Sequence, residues 1–223
     1  MPDQIKSKVD DPELVLRRRR QLADAAVELF SARGYHSTTI RDIAEHAEVS
    51  IGLIYQYVQD KEDLLFLALL QVLDSYKDQI PLALEGVAEP LERFCTAVRR
   101  YCRVNGESVA ATVLAYRETK SLRKERRNLI KQKEVETNEL IAACIRDCVE
   151  AGLFVDVDVE MFTYQIVMFS HAWALKAWRF SQEMDVEEYV DRGLRLMLRG
   201  VLTGRGERQL KSARCCGAWE AGA

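Results

Sequence analysis

The sequence is short of what catalysis and membrane insertion require. Only three histidines occur, His36, His46 and His171, scattered over different segments, with no glycine-rich phosphate loop and no Glu-x-x-His pair. An enzyme needs a convergent nucleophile, base or metal set, and nothing here supplies one. No run of about 18 apolar residues is present, which leaves no candidate for a membrane-spanning helix. The amino-terminal MPDQIKSKVDDPEL is polar and acidic, unlike a secretion signal, so the expected location is the cytoplasm, with no membrane partner. A formal net charge of −3 gives no general affinity for nucleic acid, so any such function must rest on local patches. Six cysteines are present, but Cys95, Cys102, Cys144 and Cys148 sit in helical apolar patterns without loop knuckles. They read as reduced, buried thiols; zinc is the lesser reading and no cofactor is implied.

What the chain does have is periodicity. With 48% hydrophobic residues, four prolines and 11 glycines in 223 residues, nearly every long segment repeats its apolar positions at three and four, which predicts an all-α protein. We expect a flexible lead over 1–16, a small helical domain over 17–77, a larger one over 78–204 and a disordered tail over 205–223. The first helix should run from about Glu13 to Arg33, stopped by Gly34. Two short capped helices follow, opening near Thr38 and Ser50, and Asp60 then caps a longer one. Helices that short are not stable alone, and two of them joined by a tight turn make a helix-turn-helix pattern.

Further on, Pro81 should end a connecting helix, Asn105 and Gly106 should break the next, and a long helix should kink near Ser121 and end at Gly152. Two apolar helices, about Val159 to Ser181 and Val186 to Leu202, could pair with their copies in a homodimer.

The segment SIGLIYQYVQDKEDLL carries the chemistry. A helix presented to a DNA major groove needs polar groups at its start and a small residue where backbone meets sugar-phosphate, and Ser50 and Gly52 supply both. Tyr55 and Tyr57 can offer hydroxyls to phosphates, and Gln56 can pair bidentately with adenine. One tyrosine of the pair can instead belong to the core.

With these residues in view, TTIRDIAEHAEVSIGLIYQYVQDKEDLL resembles the DNA-binding segment of the TetR family of bacterial repressors, at Gly34, Thr39, Ile43, Ala44, Val49, Ser50, Tyr55, Tyr57, Lys61 and Leu64. The resemblance implies a ligand-responsive repressor that binds double-stranded palindromic operator DNA as a homodimer. It implies DNA contacts from Thr39, Arg41, the first turn of the third helix with Ser50, Ile51 and Gly52, then Tyr55 and Lys61, which stand beside Gln56 and Tyr57 as read from their own chemistry. One departure stands out: Glu48 occupies the turn where members usually carry glycine.

Two basic runs remain open. Arg17 to Arg20 is either an arm that reaches DNA or a solvated face. Arg117, Lys120, Arg123 and Arg127 are either a solvated face or a site for the anionic head of a small effector, an acyl-CoA for example, whose apolar tail would meet Met168, Phe169, His171 and Trp173. The YRETKSL stretch resembles acyl-CoA-responsive lipid-catabolism members of the same family. Alternatives are an apolar, drug-like effector, or a helical protein-interaction module without DNA binding.

Overall fold

The computed structural model describes residues 5–212. Within them the protein is all-α: α1 is Pro12–Arg33, α2 Ile40–His46, α3 Ile51–Tyr57, α4 Lys61–Ala83, α5 Pro90–Glu107 and α6 Val109–Glu118. A single 3-10 turn, Thr119–Ser121, precedes α7, Lys124–Glu150; then come α8, Val159–Leu175, α9, Ala177–Phe180, α10, Val186–Val201, and α11, Gly204–Ser212. No described helix is long and apolar enough to cross a membrane.

The chain divides into two compact units. One takes the chain up to Asp74 together with Ala110–Gln132; the other takes Ser75–Val109 and the chain from Lys133 onward. The first unit is therefore discontinuous, which a boundary drawn near residue 77 does not anticipate.

In the first unit, Asp11 caps α1 by accepting from the Glu13 and Leu14 N–H groups, and Pro12 takes the first turn, where its missing N–H costs nothing. Leu22, Ala26, Leu29 and Phe30 face the core as their spacing predicts. The helix stops at Gly34, whose φ of 88° is open to glycine. α2 is capped by Thr39, not Thr38. Thr39 and Asp42 form a reciprocal capping box, while Thr38 is buried and its hydroxyl donates to the carbonyls of Leu29 and Gly34. The expected flexible lead is partly ordered: α1 already starts at Pro12 and Ile5 is buried.

Several other boundaries differ from the sequence expectation. Pro81 lies inside α4, which continues to Ala83. α5 runs through Asn105 and Gly106 and ends at Glu107. The stretch expected to kink near Ser121 is two helices, broken by the 3-10 turn and an extended Leu122. The segment 159–181 is interrupted at Lys176. The expected tail folds as α11 through Ser212, with Leu210 buried; the rest of that expectation, with Cys215 and Cys216, lies outside the described residues.

The second unit is built on aromatic packing. Tyr76 stacks on Tyr101 with ring centroids 4.2 Å apart, and Phe94 meets Phe154 edge-on at 5.1 Å. Between α8 and α10, Phe169 lies flat on Tyr189 at 4.5 Å, and the Tyr189 hydroxyl donates to the Phe169 carbonyl at 2.7 Å. Cys95, Cys102, Cys144 and Cys148 are buried, and none of them is joined in a disulfide with a described residue. Burial pushes the Cys102 and Cys148 thiols up to about 12 and the Cys144 thiol up to about 11.

Gly193 makes the Phe169–Tyr189 stack possible, because a Cβ there would come within 2.0 Å of the edge of the Phe169 ring. We expect Gly193→Ala to lower the unfolding free energy by about 1–3 kcal/mol through overpacking, read as a fall in the urea midpoint at unchanged slope. An unchanged midpoint would show that the ring moves aside freely.

Candidate functional site

The first unit presents α3 as a seven-residue helix started by Ser50, whose hydroxyl accepts from the Leu53 N–H at 3.1 Å. Ile54 and Tyr57 point inward, so the exposed residues of this helix include Ile51, Gly52, Tyr55 and Gln56. Thr39, Arg41 and Ser50 are exposed as well. Seven of the nine expected contact residues thus reach solvent. A Cβ at Gly52 would meet only the Ser50 hydroxyl, at 3.9 Å, so the helix offers a bare backbone patch there.

Tyr57 and Lys61 depart from expectation. Tyr57 is 3% exposed and belongs to the core, while Tyr55 is 44% exposed. A helix turns about 100° per residue, so two positions apart cannot share a face, and only one tyrosine can look outward. Lys61 Nζ donates to the carbonyls of Tyr35 at 2.7 Å, Thr38 at 2.8 Å and His36 at 3.3 Å, and it lies 4.5 Å from the Tyr35 ring centroid. All three N–H bonds are used. Lys61 therefore fastens the turn between α1 and α2, and the sequence assignment of it as a phosphate ligand is withdrawn.

The turn between α2 and α3 closes on Glu48, the one described non-glycine residue with positive φ, at 54°. The Val49 N–H donates to Ala44 and the Glu48 N–H to Glu45, the pattern of a helix end that needs a left-handed residue. The missing glycine thus changes the residue but not the turn.

The arginine run is not an arm at a helix start, since α1 begins five residues earlier. Arg17 and Arg20 are exposed, and Arg18 donates to Gln21. Arg19, 6% exposed, donates from Nε to the Tyr57 carbonyl at 3.0 Å and from Nη2 to the Ile5 carbonyl at 2.6 Å. Burial lowers its pKa first, and Asp63 partly offsets this.

The second basic run also has partners. Arg123 donates to Glu62 at 2.7 Å and to Asp60 at 2.6 Å, and those carboxylates raise its pKa. Arg126, buried, pairs with Asp63 and lies 3.4 Å from Glu62. Asp63 also accepts from the Gln59 N–H at 2.6 Å, beside the end of α3. The start of α7 is thereby pinned to the start of α4. Arg123 is engaged in this clamp and is not a free head-group ligand; Arg117 and Lys120 are exposed, and Arg127 is half-buried.

The expected ligand residues fall in different units, the basic ones in the first and Met168, Phe169, His171 and Trp173 in the second. Nor do the four apolar ones share one pocket wall. Met168 is 49% exposed and Phe169 is stacked on Tyr189. His171 is half-buried, its pKa lowered to about 4 by desolvation. Trp173 alone of them lines the second unit's cleft of about 720 Å³, with Arg100, Arg103, Gly106, Met184 and Val186. Arg100 and Arg103 were missed from sequence, although they stand one turn apart on a single helix and could have been read as a pair. Here Arg103 pairs with Glu187, and Arg100 lies 3.5 Å from Glu107.

Residues 22–68 match the family of bacterial regulatory proteins named tetR, and residues 87–201 match the tetracyclin repressor-like C-terminal domain. The chain is 50% identical over 205 residues to the HTH-type transcriptional regulator HbdR of Aromatoleum sp. (strain CIB), covering 92% of this chain and 90% of that protein. A tetR-family regulatory protein from Rhodococcus RHA1 superposes with a TM-score of 0.75 at 25% identity, over 83% of this chain and 97% of the other. AibR, solved in complex with isovaleryl coenzyme A and operator DNA, superposes with a TM-score of 0.67 at 21% identity, over 79% and 96%.

Two outcomes follow from the geometry. Lys61→Met should cost about 1–3 kcal/mol of stability by orphaning three carbonyls, whereas Tyr55→Phe should leave the melting temperature unchanged and weaken duplex binding. A Lys61→Met protein as stable as wild type would return Lys61 to the phosphate-ligand role. Glu48→Gly should raise stability by about 0.5–1 kcal/mol by relieving a left-handed side chain, measured by denaturant titration; a decrease would reveal a native interaction made by the carboxylate.

Proposed function

Because the chain belongs to the TetR family of bacterial regulatory proteins and is a DNA-binding transcriptional regulator of that type rather than an enzyme, we propose that it is a repressor. It binds palindromic operator DNA in the cytoplasm as a homodimer, and a small amphipathic acid, an acyl-CoA thioester by chemical class, releases it. The observation that carries the DNA part is the exposed set Arg41, Ser50, Gly52, Tyr55 and Gln56, held on capped short helices.

The dimer reading rests on the last long helices. Met161, Tyr164 and Met168 expose one face of α8, at 58%, 39% and 49%, and Leu196 of α10 is 71% exposed. These positions recur at three and four along α8, so they form a stripe. A second copy of the stripe would cover it.

For the effector, the cleft of the second unit has the right mixture: Trp173, Met184 and Val186 for a tail, Arg100 and Arg103 for an anionic head. It is large enough for a small ligand. The ligand must displace carboxylates, since Glu187 and Glu107 already face the two arginines. That AibR has been crystallised with an acyl-CoA and operator supports the same ligand class here. To shift the protein off DNA, the ligand must prefer one conformation; a coupling of about 1–3 kcal/mol changes affinity by roughly 5- to 150-fold.

The test uses a duplex selected by the wild-type protein from random sequence. A selected site with two-fold symmetry, released by acyl-CoAs with a dependence on acyl length but not by free CoA, is the expected result. Arg100→Gln with Arg103→Gln should weaken that release at unchanged operator affinity. Release by neutral apolar compounds alone would replace the acid with an apolar effector.

A further inference from the structure

The segment Ile5–Val9 runs beside the C-terminal end of α3 and is held there at both ends. The Lys8 N–H donates to the Gln56 carbonyl at 2.8 Å, and the Ser7 hydroxyl donates to the same oxygen at 3.2 Å. Ile5 is 5% exposed, and its carbonyl accepts from Arg19. The same guanidinium holds the Tyr57 carbonyl. The last carbonyls of a helix are orphaned and carry its negative dipole end. Here the amino-terminal segment satisfies that of Gln56, and Arg19 satisfies that of Tyr57.

Lys6 and Lys8 are exposed on this segment, and neither forms an ion pair with any described residue. Asp11, the nearest acid with a defined role, is engaged in capping α1; Asp10 stands two residues beyond the Lys8 anchor. The charge of the reading helices makes these lysines matter. Between Thr39 and Gln59 there is one arginine, Arg41, against three acids, Asp42, Glu45 and Glu48, and α3 itself carries no charge. Lys61 is occupied by carbonyls. A duplex is bound largely through phosphate neutralisation, so the cations must come from outside the helix-turn-helix.

We propose that Ile5–Val9 is a second DNA-contacting element, in which Lys6 and Lys8 neutralise backbone phosphates flanking the groove occupied by α3. The inference rests on the operator-binding reading and extends it. Arg19 is then a positioning residue for both elements, since one side chain fixes the end of α3 and the start of the arm.

The experiment compares wild-type protein, Lys6→Gln with Lys8→Gln, Lys6→Arg with Lys8→Arg, and a charge-matched control, Lys124→Gln with Lys131→Gln. Each is titrated over a range of salt against the duplex selected by the wild type and against a random duplex. The glutamine arm variant is expected to melt as wild type does and to bind both duplexes more weakly. Its plot of log affinity against log salt should flatten by about 0.9 for each phosphate no longer neutralised, up to about 3.6 for a dimer. Arginine should restore the slope, and the control should keep it. Equal affinity and slope for the glutamine arm variant and the control would overturn the proposal, leaving the segment as a helix cap only. If the wild type retains no duplex at all, the operator reading itself fails, a result distinct from failure of the arm alone.

Discussion

Donation from cationic side chains to main-chain carbonyls holds the reading head in shape. Helices of seven residues, such as α2 and α3, have too few internal hydrogen bonds to persist alone in water. Lys61 closes the turn before α2, and Arg19 closes the end of α3. Each cation sits where loop carbonyls would otherwise face a half-dry interior, and each carbonyl gains a charge-assisted bond. The aligned surface of Ser50, Gly52, Tyr55 and Gln56 follows from those fastenings, since a shift of either end would rotate the helix and exchange its faces.

The clamp at the start of α4 works in the same way with the charges reversed. Asp63 accepts from the Gln59 main chain and from Arg126, and Glu62 accepts from the Arg123 side chain and main chain. Removing one partner of the buried Arg126–Asp63 pair would leave an uncompensated charge, which is far more costly than the pair is stabilising. The turn after α3 and the beginning of α7 are therefore parts of one electrostatic arrangement inside the first unit.

What could be seen in the sequence was what depends on near neighbours. The cap at Ser50, the stop at Gly34 and the left-handed turn at Glu48 are decided within a few residues, and the apolar spacing of α1 named its buried face. The sequence misplaced the roles of Lys61, Arg19 and Arg123, because their partners lie 14 to 63 residues away. A cation read without its partner looks like a ligand for something external. Proline misled for a related reason: Pro81 lies within the last turn of α4, and the helix ran past it for two more residues. Tyr57 was resolved by geometry once the register of α3 was fixed by Ile54.

Three buried thiols of the second unit, Cys102, Cys144 and Cys148, bear on how the molecule meets oxidising conditions. Peroxides and disulfides react with thiolate, and a thiol held at about 11 or 12 by burial presents almost none at neutral pH. Cys102, Cys144 and Cys148 are therefore chemically silent while the fold stands, and they become reactive only when it opens. Their rate of alkylation becomes a clock for unfolding of the second unit, built into the chain without a label.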